Sequence, residues 1–334
     1  MKSLFFMHSI KLFRYLIAWR VNTPMIRLPM DFSAHISKTL GYAIADSVST
    51  RDARLWRKHL DSSRYNLFQQ PAIDDPYPES PWPVHAVILP YTNKRNYLHG
   101  EVIYWELKLI GDSADHGFFL EAIIPAMEKL GYTEQNIPQS RLSIWGHYDI
   151  FSVWVSNGDK WEPLIHDSQL NLRYHPKPLQ WNRHFTEEYY HKGMAKLNRL
   201  VWLRPFEFDI QNVSQMKDKF IPEMQSFIES VVRRWSFFSS SRIRREIWDL
   251  VPSNLLVEVK KAWEIANNMR ITSYNLKPAL RNEPGLWTGE LTYENIPVFL
   301  MPYLDMAAIF HVGKKTHYGC GSFALCHSSE DPLI

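Results

Sequence analysis

From residue 9 to 21 the chain alternates. Phe13, Tyr15, Ile17, Trp19 and Val21 share one face at period two, while Arg14 and Arg20 point to the other. That spacing predicts a β-strand. The period then lengthens: Ile36, Leu40 and Ile44 recur every four residues over about 32–48, behind Asp31 or Ser33 as N-cap, and predict a helix. Residues 61–83 read as loop, with Pro71, Pro76, Pro78, Pro81 and Pro83 set among Asp and Ser. Two strand runs follow, 84–91 and 101–110, joined by the turn-rich Thr92-Asn93-Lys94-Arg95-Asn96. A second helix places Phe119, Ile123, Ala126, Met127 and Leu130 on one face and stops at Gly131. A strand region over 141–155 completes the order βαββαβ, that of a ferredoxin-like module.

Residues 157–196 are polar and proline-bearing and read as a connecting or inserted segment. The pattern then restarts with a strand over 199–210 and helices over 222–235 and 253–269. A strand over 287–293, a short helix opened by Pro297, a glycine-rich loop over 313–321 and a last strand over 322–325 follow. The fold class expected is therefore α+β, two tandem ferredoxin-like modules over 1–156 and 197–334.

Composition narrows the class. The chain has 334 residues, enough for two domains, with 45% hydrophobic residues, which excludes a disordered chain. Two cysteines exclude a disulfide framework and point to a reducing cytoplasm. No apolar run reaches the ~20 residues of a membrane helix, and Lys11 and Arg14 interrupt the one amino-terminal stretch that resembles a signal peptide. Aromatic residues reach 14%; Trp105, Trp145, Trp154 and Trp202 fall in strand readings and are expected in the core. The formal charge of +3 is uninformative as a total, but its distribution is not. Arg233, Arg234, Arg242, Arg244 and Arg245 lie in one short stretch with Trp235, Phe237 and Phe238 between them. Guanidinium groups grip phosphates and rings stack on unpaired bases, so the stretch suits RNA; a solvated helix end is the alternative.

The densest chemistry lies near the carboxy terminus, in His311-Val312-Gly313-Lys314-Lys315-Thr316-His317-Tyr318-Gly319-Cys320-Gly321. Glycines permit positive φ angles and leave backbone N–H groups open to an anion. Nucleotide motifs fail on spacing: a P-loop needs glycine where Ala308 stands, and a dinucleotide fingerprint needs one where Ala324 stands. His317, Cys320, Cys326 and His327 do not have the spacing of a zinc module, so no metal site and no cofactor are expected.

Phe310-His311-Val312-Gly313-Lys314, followed by Tyr318-Gly319-Cys320-Gly321, resembles the carboxy-terminal motif of the CRISPR repeat-processing endoribonucleases of the RAMP superfamily (the Cas-six type). His99-Gly100-Glu101 with Trp105-Glu106-Leu107-Lys108-Leu109-Ile110-Gly111 is similar to the mid-chain strand of that family, and Trp287-Thr288-Gly289-Glu290-Leu291-Thr292-Tyr293 to the strand before its last helix. Arg270-Ile271-Thr272-Ser273-Tyr274-Asn275 stands where the family has an arginine-bearing run, and lacks its second arginine.

The resemblance implies metal-independent cleavage of repeat RNA. The ribose 2′-OH attacks the adjacent phosphate and leaves a 2′,3′-cyclic phosphate and a 5′-OH. A base, an acid and cations are then required, and histidine titrates in the working range. The family places its catalytic histidine at the first helix, across an interdomain groove from the glycine-rich loop, which selects His35. Tyr42 lies two turns further along, where packing is the simpler reading. His311 and Lys314 are the other catalytic candidates. Lys315, His317, Gly313, Gly319, Gly321 and the five arginines are candidates for RNA binding. The expected partners are repeat or guide RNA and other CRISPR effector subunits, with no membrane. A non-catalytic RAMP subunit that holds guide RNA in an effector complex is the alternative.

Overall fold

The computed structural model describes residues 10–66, 80–92, 94–132, 143–185, 197–208, 213–216, 219–238, 251, 253–280 and 283–327. The chain divides into two compact units, Lys11–Trp181 and the residues from Asn182 onward.

In the first unit β1 (Leu12–Val21) and the short β2 (Met25–Arg27) precede α1 (Phe32–Ser47) and α2 (Thr50–Asn66). Strands β3 (Ala86–Tyr91), β4 (Asn96–Leu98) and β5 (Val102–Ile110) follow. Helix α3 starts as His116–Phe118, passes through a π turn at Phe119–Ile123 and continues as Ile124–Tyr132. Pro125 explains the turn, because it lacks an N–H and its ring crowds the carbonyl four residues back. Strands β6 (Tyr148–Asn157), β7 (Lys160–His166) and β8 (Gln169–Leu170) end the unit. The sheet runs β3-β5-β1-β6-β7-β8, antiparallel throughout.

Strands β1, β3, β5 and β6 with α1 and α3 are the expected βαββαβ unit. The segment read as a connection instead extends its sheet, because β7 pairs along β6 and β8 along β7. Two further differences concern boundaries: the strand expected over 141–155 starts at Tyr148, and Trp145 sits in the turn before it.

Period two along β1 sends Tyr15, Ile17 and Trp19 to one face, with Trp105 and Leu107 of β5 beside them. Ile36, Leu40 and Ile44 of α1 and Phe119, Ile123 and Met127 of α3 close that core. Each such side chain contributes ~1.5–3 kcal/mol on burial. The other face of the sheet buries charge. Arg14 Nε and Tyr91 Oη both donate to Glu106, at 2.6 Å each, and Lys108 Nζ lies 4.0 Å away. Glu106 is 0% exposed and Lys108 2%. Burial raises the carboxyl, but Arg14 and Lys108 outweigh it and hold Glu106 at about 2. Burial, with Arg14, brings Lys108 down to about 7 against the pull of Glu106.

The second unit repeats the order. Strand β9 (Arg199–Trp202) and the hairpin β10 (Val213–Met216) and β11 (Lys219–Pro222) precede α4 (Met224–Phe238) and α5 (Ser253–Asn267). Then come β12 (Ile271–Pro278), β13 (Trp287–Tyr293), α6 (Met301–Phe310) and β14 (Phe323–Cys326). The sheet order is β12-β13-β9-β14. The strand expected over 199–210 stops at Trp202, and Phe206 makes only an isolated bridge to Trp287. Trp202 packs among Phe206, Phe227 and Phe323, at ring-centroid distances of 4.1, 5.7 and 5.5 Å. Much of the aromatic excess is thus core, in both units.

Candidate functional site

Helix α6 ends at Phe310, and the chain leaves it through His311 at φ +63°. Three glycines then shape the loop. Gly313 (φ +76°) lies against the Glu207 carbonyl, where a Cβ would stand 2.2 Å from the oxygen. Gly321 (φ +70°) crosses Val312 so closely that a Cβ would stand 1.8 Å from its carbonyl oxygen. Gly319 takes φ +80° at the end of the turn Thr316–Tyr318. Lys315 is itself left-handed, at φ +57°, a conformation that costs a non-glycine residue ~1–2 kcal/mol.

What holds this shape is mostly backbone. The N–H of Lys314 donates to Glu207 O at 2.7 Å, that of Gly321 to Pro205 O at 2.9 Å, and that of Val312 to Gly321 O at 3.2 Å. Gly313 N–H reaches Ser230 Oγ at 3.4 Å, and the N–H groups of Tyr318 and Gly319 close the turn onto Lys315 and Thr316. These donors are therefore occupied within the fold, contrary to the open anion nest expected of the glycines.

Arg234 of α4 bonds Gly313 O at 3.1 Å and Thr316 Oγ1 at 2.7 Å through Nη2. It clamps the loop from within the same unit. Arg233 beside it is exposed. Lys315 Nζ pairs with Glu207 Oε2 at 3.0 Å, while Lys314 is half-buried. His311 is 0% exposed, and its Nδ1 lies 3.1 and 3.2 Å from the carbonyls of Gly319 and Cys320. A ring nitrogen facing two acceptors is a donor, so this imidazole staples the two ends of the loop. His317 is also buried, edge-on to Tyr318. Arg242, Arg244 and Arg245 lie outside the described residues.

His35 belongs to the first unit, on the exposed side of α1. Asp31 caps that helix, with the Ala34 N–H donating to its carboxylate at 3.0 Å. Partial desolvation, helped by Lys38 and opposed by Asp31, moves His35 below its ordinary value of 6.5. The imidazole is thus neutral near pH 7, the state a general base needs. Tyr42 donates to Asp61 Oδ1 at 2.7 Å and so ties α1 to α2.

Helix α2 carries a dense set of cations that the sequence reading passed over. Its signal was present: Ser49 caps the helix, its Oγ accepting from the Asp52 N–H at 3.3 Å and donating to the Asp52 carboxylate at 2.7 Å, and Ala53, Trp56 and Leu60 make the buried stripe. Among the described residues, no group of three or more His, Cys, Asp or Glu side chains is arranged to hold a metal ion. Among them too, no helix is long and apolar enough to cross a membrane.

A family model described as CRISPR-associated endoribonuclease Cas6 matches residues 202–323, from the end of β9 to the start of β14. No curated protein sequence matches the chain. Among solved structures, a chain of a partial Cas6-RT-Cas1–Cas2 complex superposes with TM-score 0.56 at 11% identity, covering 97% of this chain and 47% of that one. A fuller Cas6-RT-Cas1–Cas2 complex gives TM-score 0.56 at 11% identity, with 97% and 30% covered. A Cas6 product complex gives TM-score 0.48 at 15% identity, with 95% and 99% covered. This chain therefore spans less than half the length of the first two chains it matches. Residues 202–323 are thus similar to the Cas6 family of CRISPR-associated endoribonucleases, and the fold of the chain is similar to that of a chain in the Cas6-RT-Cas1–Cas2 complex.

Proposed function

We propose that this chain is an endoribonuclease that cuts CRISPR repeat RNA into guide RNA by metal-independent attack of the 2′-OH, giving a 2′,3′-cyclic phosphate and a 5′-OH. The observation that carries the reading is the Cas6 match over the glycine-rich loop and the strands that frame it. In this reading His35 is the general base. Its lowered proton affinity supports the role. Lys314 is the cation for the charge that develops on phosphate, and Lys315 and Arg233 bind the RNA backbone. His311 serves as a positioning residue, since its ring is fully buried and bonded to the loop. Gly313, Gly319 and Gly321 set the shape on which the lysines are presented. Repeat RNA is the partner, and other CRISPR proteins are partners by the same reading.

Purified protein mixed with repeat RNA from its own locus, in EDTA, tests this. Cleavage leaving a cyclic phosphate is expected, with a loss of ~10²–10⁴-fold in His35→Ala. Absence of cleavage with every repeat of the locus overturns the enzymatic reading. Tight binding without product would instead indicate a scaffold subunit.

A further inference from the structure

A βαββαβ module is complete with two helices, so α2 is an addition to the first unit, and its outer face is unlike the rest of that unit. Ala53, Trp56 and Leu60 turn inward. At ~100° per residue, Arg51, Arg54 and Lys58 fall within about 60° of one another on the opposite side. All three are exposed. They span about 10 Å of helix axis at ~1.5 Å per residue.

The carboxylates nearby are engaged elsewhere. Asp52 accepts from Ser49 Oγ at 2.7 Å, Asp61 from Tyr42 Oη at 2.7 Å, and Asp46 pairs with Arg57 at 2.9 Å. Among the described residues Arg51, Arg54 and Lys58 have no carboxylate partner. Like charges three and four residues apart destabilise an isolated helix. A bound polyanion relieves that cost. The contacts Tyr42–Asp61 and Asp46–Arg57 set α1 antiparallel beside α2, and the exposed His35 and Lys38 continue the Tyr42 and Asp46 stripe along α1. The cationic face of α2 and the candidate base thus lie on one helix pair.

We infer that the outward face of α2, through Arg51, Arg54 and Lys58, is a phosphate-contacting surface for duplex RNA. The inference rests on the RNA reading proposed above and adds to it a second surface, away from the glycine-rich loop in sequence and in unit. Its contacts are to phosphate, so they position the duplex without reading its sequence.

The test is binding of an RNA hairpin of arbitrary sequence across a salt series, which needs no cleavage. The triple variant Arg51→Gln/Arg54→Gln/Lys58→Gln keeps helix propensity close to that of the parent. Each duplex phosphate contact contributes ~0.9 to the log–log salt slope, so the triple variant should flatten it by about 2–3. Leu55→Lys adds a cation on the same exposed face and should steepen it by ~0.9. Lys160→Gln, at the exposed start of β7, should leave it unchanged. An unaltered slope in the triple variant with a parental circular dichroism spectrum, or in Leu55→Lys, overturns the inference. So does an effect seen only with an unpaired strand. A protein that cuts no repeat yet shows these slope changes keeps this surface and loses the nuclease reading. One that cuts its repeat with unaltered slopes does the reverse, and a parent that binds no RNA loses both.

Discussion

Glu106→Gln removes a charge from the interior of the first unit while keeping the shape of the side chain. Glu106 receives Arg14 and Tyr91 at 2.6 Å each and faces Lys108 at 4.0 Å, with no exposure to solvent. Breaking a buried ionic group by removing one partner typically costs 3–5 kcal/mol, because the remaining charges are left uncompensated. An independent magnitude comes from linkage. The fall of the Glu106 carboxyl from 4.5 to about 2, at ~1.4 kcal/mol per pH unit, corresponds to about 3 kcal/mol. The folded value lies below the unfolded one, so this stability is fully present above pH 4.5 and is lost as pH falls toward 2. In the variant Lys108 loses the partner that raises it and should shed its proton more readily. Arg14 has no such escape. Urea unfolding followed by tryptophan fluorescence, with m-values compared, should show a penalty of about 3–5 kcal/mol at neutral pH. That penalty should shrink to less than half near ~pH 3. A variant within about 1 kcal/mol of the parent at both pH values would refute the reasoning.

Three other outcomes follow from the site. Gly321→Ala places a methyl 1.8 Å from the Val312 carbonyl in a left-handed position, and should cost at least ~2 kcal/mol of loop stability, read as faster amide exchange over 311–321. Arg234→Gln removes two charged bonds to the loop and should raise exchange at the same amides by an amount equivalent to about 1–3 kcal/mol, leaving the first unit unaffected. The acid limb of repeat cleavage should lie below pH 6.5, since the base must be neutral and His35 is lowered. Lys38→Gln, which removes a neighbour that lowers it, should move that limb upward. A pH–rate profile unmoved in Lys38→Gln and retained in His35→Ala would exclude His35 as the titrating group.

Much of the fold was legible because its periods are clean. The alternation of β1 and the four-residue stripe of α1 predicted elements that the structure places at Leu12–Val21 and Phe32–Ser47. The first βαββαβ order followed, and the second followed except for one strand. Helix α2 was missed because five cations, Arg51, Arg54, Arg57, Lys58 and Arg64, interrupt its 17 residues and its buried apolar stripe is short, Ala53, Trp56 and Leu60. Strand β12 was missed because it is an edge strand of its sheet and buries only Leu276 fully, so its alternation is weak.

At the site, the sequence showed where the glycines, lysines and histidines were but not what each was doing. The N–H groups expected to hold an anion close onto Pro205, Glu207 and Ser230, which lie about a hundred residues earlier. His311 stands beside Lys314 in one motif and Arg234 in the separate arginine stretch, yet the fold buries the first and spends the second on the loop itself.

Local pattern, then, determined which segments become strands and helices and where their apolar faces lie, because side-chain periodicity is a property of consecutive residues. Only the tertiary structure decided the partners. Arg14, Tyr91 and Glu106 meet because β1 and β3 flank β5 in a register that sets Leu16 and Leu89 opposite Glu106, and register depends on the whole sheet closing over its core. The same pairing that buries Trp19 against Trp105 commits the opposite face to holding its charges together.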